Sequence, residues 1–281
     1  MSIIEEAVRK TAERHNRHAP PPDQSANRPR LRRVPSAQID PANVRRFQPV
    51  SLDRAVLEEN NILPQVIDPA ALRAYKILRT RLLRRLEANQ WHSFAVTGAT
   101  PGEGKTLTAI NLAMALAQDS NTWMILVDLD LQRPKVADYL GLGNGHGERG
   151  LTDFLLGEAT FEQITYSPAS MDRLAVIPNF QSVANASDLL TSTRMEELLR
   201  SLEAETPRRI VIFDMPPLLA SDDVLAFAPQ VDGVLLVVGE SSTSRDALRG
   251  AKALLQEMNL LGVVLNRSDT SDEGAYYSYA R

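Results

Sequence analysis

The chain has 281 residues, 43% hydrophobic and 23% charged, an ordinary globular composition and a length suited to one large domain with appended segments. It has no cysteine, which excludes disulfides, thiolate metal sites and a cysteine nucleophile, and its four histidines (His15, His18, His92, His146) lack metal-ligand spacing. The net charge of −4 is unevenly divided: residues 1–50 carry 10 Lys/Arg against 5 Asp/Glu, and those basic charges, scattered among prolines, read as a solvated linker rather than a nucleic-acid surface.

Residues 1–16 place Ile3, Ile4, Ala7, Val8 and Ala12 at helical spacing, a short amphipathic helix that needs a partner surface to persist. Glu5 and Glu6 stand where a signal peptide would be basic, and no apolar run approaches the roughly 18 residues of a membrane span. A cytoplasmic location is expected. Residues 17–50, with HAPPPDQSANRPRLRRVPS, have the composition of a disordered proline-rich linker.

Order is expected to resume near Ser51, with residues 51–90 forming a helical lead-in. Asp68-Pro69 is a cap followed by a proline at the first helical position. The helix beyond it aligns Leu72, Tyr75, Leu78, Leu82 and Leu86 on one stripe. Lys76, Arg79, Arg81, Arg84 and Arg85 make the other face basic.

Across residues 91–268 strands and helices alternate. Strands are expected at Ser93–Thr97, Thr122–Asp128, Leu174–Ile177, Arg209–Asp214, Gly233–Val238 and Gly262–Leu265, with helices at Lys105–Gln118, Arg194–Glu205 and Ser244–Met258. Runs such as MILVD and GVLLVV are nearly all apolar, as in strands buried on both faces. The pattern predicts a doubly wound α/β fold, a mostly parallel sheet with helices on both faces, of the P-loop NTPase type.

Between the first of these strands and its helix lies Ala99-Thr100-Pro101-Gly102-Glu103-Gly104-Lys105-Thr106, a Walker A pattern with alanine for the usual first glycine. Small residues let the backbone N–H groups curve around phosphate at a helix N-terminus. Thr100, Pro101, Gly102, Glu103, Gly104, Lys105, Thr106 and Leu107 are the candidate nucleotide-binding stretch. In it Lys105 would reach the β and γ oxygens and Thr106 would face Mg²⁺. Two apolar strands end in acids: ILVDLD places Asp128 and Asp130 on one side of a strand, and IVIFDMPP ends in Asp214. Mg²⁺ takes one or two carboxylates beside phosphate and water, so Asp130 and Asp214 are its candidate partners.

Together these motifs resemble the bacterial tyrosine kinases, autokinases of capsule and exopolysaccharide export. The likeness covers roughly residues 69–281, including DMPPLLASDDVLAFAPQVDGVLLVV, SSTSRDALRGAKALL and the strand ending in VVLNR; MSIIEEAVRK and VSLDRAVLEENNILP resemble stand-alone kinases of exopolysaccharide and exosortase loci. The resemblance implies ATP and Mg²⁺ as cofactors and Lys105, Asp128 and Asp130 as catalytic, with Asp128 accepting the acceptor's proton. It also implies Asn266 beside the adenine, with Arg267 next to it. The tail, residues 269–281, packs Tyr276, Tyr277 and Tyr279 into the last six residues of a chain with only six tyrosines. These resemble the family's phosphoacceptor cluster, modified between subunits of a homo-oligomer. A membrane polysaccharide co-polymerase would be the activator that recruits the chain to the inner membrane, and no nucleic acid is expected. Two positions depart from the family. Gln132 stands where its basic motif usually begins with arginine, and Arg73 stands where the acid of its oligomerisation helix belongs.

Two other readings share the fold. A positioning ATPase of the partition and division type carries a further lysine where this chain has Thr100. A nucleotide switch would bind ATP and assemble without transferring phosphate.

Overall fold

The computed structural model describes residues 47–268 apart from 66–67, 119–121, 144–147 and 206–208. The expected N-terminal helix and the tyrosine tail lie outside the described residues. Two short elements open the described part of the chain, strand β1 (Gln48–Val50) and helix α1 (Arg54–Glu59). Helix α2 (Pro69–Asn89) starts as its sequence dictates: the Asp68 carboxylate accepts the N–H groups of Ala70 (2.9 Å) and Ala71 (3.3 Å), and Pro69 follows the cap. Its Leu82 and Leu86 are buried and Leu72, Tyr75 and Leu78 half-buried, the predicted stripe. Each buried leucine contributes about 2 kcal/mol of hydrophobic stabilisation. Two arginines of the basic face are drawn back to the body: Arg79 donates to the Ala115 carbonyl (3.3 Å) and Arg85 to that of Leu260 (3.1 Å).

The remainder alternates as expected: β2 (Ser93–Gly98), α3 (Lys105–Ala117), β3 (Trp123–Asp128), α4 (Val136–Leu140), α5 (Leu151–Leu155), α6 (Phe161–Ile164), β4 (Tyr166–Pro168), β5 (Leu174–Ile177), α7 (Ala186–Leu190), α8 (Thr193–Glu205), β6 (Arg209–Asp214), α9 (Asp223–Phe227), β7 (Gly233–Gly239), α10 (Arg245–Leu254) and β8 (Leu260–Asn266). The eight strands form one sheet in the order β1-β4-β5-β3-β6-β2-β7-β8, parallel except where β4 meets β5. Every residue of β2, β3, β6 and β7 is buried. That is why these strands read as mostly apolar runs, with polar residues chiefly at their ends.

Alternation along the strands splits the core into two layers. Phe94, Val96, Met124, Leu126, Ile212 and Val237 face α2 and α3, while Ala95, Ile125, Val127, Val211, Phe213 and Leu236 face the layer containing α5, α8 and α9. The chain steps from β2 to β3 in one direction across the sheet, and later from β7 to β8 in the other. The C-terminal end of β2 therefore borders a topological switch point, where open α/β sheets bind ligands.

One expectation is corrected. The stretch read as linker to residue 50 ends in a strand: β1 pairs in parallel with β4, Gln48 opposite Tyr166, and buried Phe47 meets the Phe161 ring edge-on at 6.1 Å. Because β4 runs antiparallel to β5, both β1 and β4 run against the central strands.

Candidate active site

The loop from Ala99 to Gly104 joins β2 to α3, and its shape is set by two positive backbone angles, φ +84 at Gly102 and +85 at Gly104. Glycine at 104 is required twice: the angle is left-handed, and a Cβ there would strike the side-chain amide of Asn266. Lys105 opens α3 and is buried, and Leu107 packs on the core rather than toward the loop. Thr97 Oγ1 donates to the Pro216 carbonyl (2.6 Å), and the N–H groups of Leu218 and Leu219 reach the carbonyls of Gly98 and Ala99. The phosphate loop and the Asp-Met-Pro-Pro turn after β6 are thus stitched together.

Strand register brings the acids to this place. Asp128 and Asp214 are direct neighbours across β3 and β6, and Leu129 N–H bonds the Asp214 carbonyl at 2.8 Å. Asp128 is fully buried; its Oδ2 accepts the N–H groups of Lys135 (3.1 Å) and Val136 (3.0 Å), and its Oδ1 that of Asp130 (3.3 Å). Burial, with the Asp214 charge beside it, holds its pKa well above the usual carboxylate range. Asp130 accepts the Arg133 N–H at 3.0 Å; burial raises its pKa, against the pull of that N–H and of Lys105.

Asp214 is different. It is fully buried, and neither carboxylate oxygen has a hydrogen bond of good geometry. Burial pushes its pKa up to about 7, opposed by the nearby Thr106 hydroxyl and Lys105. The Thr106 hydroxyl is close enough to act electrostatically but lies outside hydrogen-bond geometry. An unpaired buried carboxylate beside Lys105 and Thr106 fits a magnesium ion brought in with nucleotide phosphates. Among the described residues no three His, Cys, Asp or Glu side chains converge to hold a metal by themselves. A Mg²⁺ site completed by phosphate and water does not need them.

The remaining expected residues fall at the other end of the loop. Asn266 closes β8 and its Nδ2 donates to the Glu103 carbonyl (2.9 Å), while exposed Arg267 has φ +57. Tyr276, Tyr277 and Tyr279 lie outside the described residues. Two groups were not legible in the sequence as part of the site. Asp223, buried at the start of α9, accepts from the Gln132 side chain at 3.1 Å and raises the Asp130 pKa. Thr243, in the turn after β7, donates to the Glu103 carboxylate at 2.6 Å. The acidic pair at 222–223 was a signal for the first; the second had none.

Fold and site define a P-loop ATPase, and the AAA domain family model matches residues 93–268. The chain is 33% identical over 207 residues to the tyrosine-protein kinase YwqD of Bacillus subtilis, covering 73% of this chain and 84% of that one. It is 30% identical to the tyrosine-protein kinase Etk of Escherichia coli, over 70% of this chain and 26% of Etk. Among solved structures, the chimerical protein CapA2B2 superposes with a TM-score of 0.67 at 26% identity, over 80% of this chain and 94% of that one. The kinase domain of Etk gives 0.61 at 28%, over 72% and 78%. The chain belongs to the bacterial tyrosine-kinase family. It spans most of YwqD but about a quarter of Etk.

Proposed function

We propose that this chain is an ATP- and Mg²⁺-dependent protein-tyrosine autokinase that phosphorylates Tyr276, Tyr277 and Tyr279 of a neighbouring copy. In this reading it acts in the cytoplasm, controls exopolysaccharide synthesis or export, and is recruited to the inner membrane by a polysaccharide co-polymerase. The observation that carries the reading is the unpaired, buried Asp214 beside Lys105 and Thr106, in a chain of the tyrosine-kinase family.

Phosphoryl transfer is catalysed mainly by positioning and charge neutralisation. Mg²⁺, held by residues of the site beside the phosphates, would supply positive charge that offsets their negative charge. Backbone N–H groups of residues 102–106 would cradle the phosphates, and Lys105 would neutralise charge that develops on them. Thr106, Asp130 and Asp214 would hold the metal, directly or through water. A free tyrosine hydroxyl has a pKa of about 10, so a carboxylate must take its proton as the new P–O bond forms. Asp128 is assigned that role; its raised pKa makes it a stronger base than a solvent-exposed aspartate. Asn266 and Arg267 border the base.

The tail follows β8 through SDTSDEGA, a polar stretch with the composition of a flexible tether. Modification in trans is expected, and each phosphate adds about −1.5 to −2 charges beside Asp269, Asp272 and Glu273. The tail then leaves the acidic site and the oligomer loosens. The test mixes Lys105→Met protein bearing an intact tail with active protein whose three tail tyrosines are phenylalanine, using labelled ATP. Label on the inactive partner's tail, with smaller particles in light scattering, supports the reading. An unlabelled tail in the mixture, with wild type also unlabelled there, assigns the chain instead to the nucleotide-switch class.

A further inference from the structure

We infer that the outward face of α2 is a docking site for the chain's own tail once the tail tyrosines carry phosphate, so that a modified tail is held on the copy that bears it. The inference rests on the reading of Tyr276, Tyr277 and Tyr279 as phosphoacceptors, and deepens it by naming where the modified segment goes.

The core stripe of α2 fixes what its opposite side presents. Leu82 and Leu86 are buried, with Leu72, Tyr75 and Leu78 packed beside them. A period of 3.6 residues then turns Arg73, Lys76, Arg81 and Arg84 to solvent, and all four are exposed. Arg73 and Arg84 lie roughly 16 Å apart along the axis. At the border of this face Arg79 and Arg85 are drawn onto the carbonyls of Ala115 and Leu260. The four outward cations make no salt bridge or side-chain hydrogen bond among the described residues. The one acid of the helix, Glu87, stands in its last turn. A chain of net charge −4 therefore carries a row of uncompensated positive charge on one helix.

The fold delivers the tail to this row. Leu261 and Val264 of β8 share the core layer of α2 and α3, and Arg85 reaches the first residue of β8. α2 therefore lies at the flank of the sheet that β8 closes. Tyr75 sits beside Thr108 and Asn111 in the first turns of α3, which places Arg73 and Lys76 toward the nucleotide edge. Ser268 follows β8 at that same edge. A flexible chain running from there to the tyrosines spans roughly 15–20 Å, and a helix is about 10–12 Å thick. The tail reaches the outer face of α2 without leaving its own copy.

Charge decides when it stays. The unmodified tail offers Asp269, Asp272 and Glu273, and exposed carboxylate–arginine pairs are individually weak. Each phosphate adds about −1.5 to −2 charges, and guanidinium groups grip phosphate through paired, charge-assisted hydrogen bonds. Tail and face belong to one chain, so their effective concentration is about 1 mM. An affinity of about 100 µM between the separate parts then holds the tail about nine-tenths of the time. A tail held there is withdrawn from the phosphate loop of a neighbouring copy.

The test titrates a fluorescent peptide of residues 269–281, unmodified or with all three tyrosines phosphorylated, with full-length Lys105→Met protein, whose own tail stays unmodified. The phosphopeptide is expected to bind with a Kd of about 100 µM or tighter. It should bind about 10-fold more tightly than the unmodified peptide, by an advantage that salt reduces. Replacing Arg73 and Arg84 together with alanine should weaken it about 10-fold without moving Tm, since both are exposed. Arg200→Ala removes an exposed cation from α8, in the opposite layer, and should change nothing. A full chain built by ligating the phosphorylated segment 269–281 after Ser268 should bind added phosphopeptide about 10-fold less tightly, equally at every protein concentration. Equal affinity for the two peptides overturns the inference, as does an affinity untouched by the Arg73 and Arg84 replacements or a ligated chain that binds as the unmodified one does. Self-blocking that grows with protein concentration also overturns it, and gives the face to a second copy. Sedimentation with phosphatidylglycerol vesicles through Arg73 and Arg84, with the phosphopeptide unbound, overturns it in favour of lipid. Every peptide arrives already phosphorylated, so a tail that the enzyme never labels sinks the autokinase reading and leaves the docking result to be judged by itself.

Discussion

Replacing Asp214 with asparagine should stabilise the nucleotide-free protein while disabling it. The carboxylate is buried without a hydrogen bond, and its pKa moves from 3.8 to about 7. A folded pKa above the unfolded value means that the stabilising contribution is complete below about pH 4 and is lost as pH rises through 7. At roughly 1.4 kcal/mol per pH unit the penalty for the ionised form reaches about 4 kcal/mol above pH 7. Asparagine is neutral throughout and escapes it. Thermal melts in EDTA, without nucleotide, should show the wild type losing stability relative to Asp214→Asn between about pH 4 and pH 7, then a constant gap. For a domain of this size 1 kcal/mol moves Tm by about 2–4 °C, so the plateau gap is of order 10 °C in favour of the variant. Adding Mg²⁺ and ATP at concentrations that saturate only the wild type should reverse the order, because the tighter binder is stabilised more. A difference curve flat across this range, or a variant less stable than wild type at pH 8, would refute the placement of Asp214 as an unpaired buried acid.

Four further outcomes are expected. Lys105→Met should abolish autophosphorylation with an unchanged circular dichroism spectrum, since its charge serves the phosphates rather than the core. Asp128→Asn should lower the rate of phosphate transfer about 100-fold or more without shifting the Mg²⁺ titration, whereas Asp214→Asn should raise the Mg²⁺ required; superimposable titrations for the two would contradict the roles assigned. Leu86→Ala opens a cavity where α2 meets the sheet and should cost about 2–5 kcal/mol in denaturant unfolding. Asp68→Ala removes two bonds to the α2 N-terminus and should cost about 1 kcal/mol; an unchanged unfolding midpoint would argue against a stabilising cap.

The central strands were legible because burial on both faces removes polar residues from them, and turn or cap residues such as Asp68-Pro69 mark where they and their helices begin. β1 and β4 were not. Each has three residues, too few for any periodicity, and each is held by its neighbour rather than by its own pattern. The five-residue helices α4, α5, α7 and α9 escape for the same reason. At the site, the phosphate loop and the strand-end acids could be found by spacing and order alone. Glu103 could be placed in the loop but not understood, since nothing in the order of residues shows that its carboxylate meets a threonine 140 positions later. Gln132 read as a missing arginine; in the fold its amide is the partner of buried Asp223.

The reversal of β1 and β4 decides where the described body is joined to the rest of the chain. Because β1 runs against the central strands, it begins at the edge of the sheet where they end, and β8 finishes at that same edge. Phe47 and Ser268 thus leave the body on the nucleotide side, at opposite flanks of an eight-stranded sheet, seven strand spacings or about 33 Å apart along it. The turn at Gln90, between α2 and the start of β2, lies at the far edge. A label or surface attachment at Asn89 would therefore leave both covalent connections and the nucleotide cleft unobstructed, while a bulky fusion placed directly before Phe47 or after Ser268 would sit at the same edge of the sheet as the cleft.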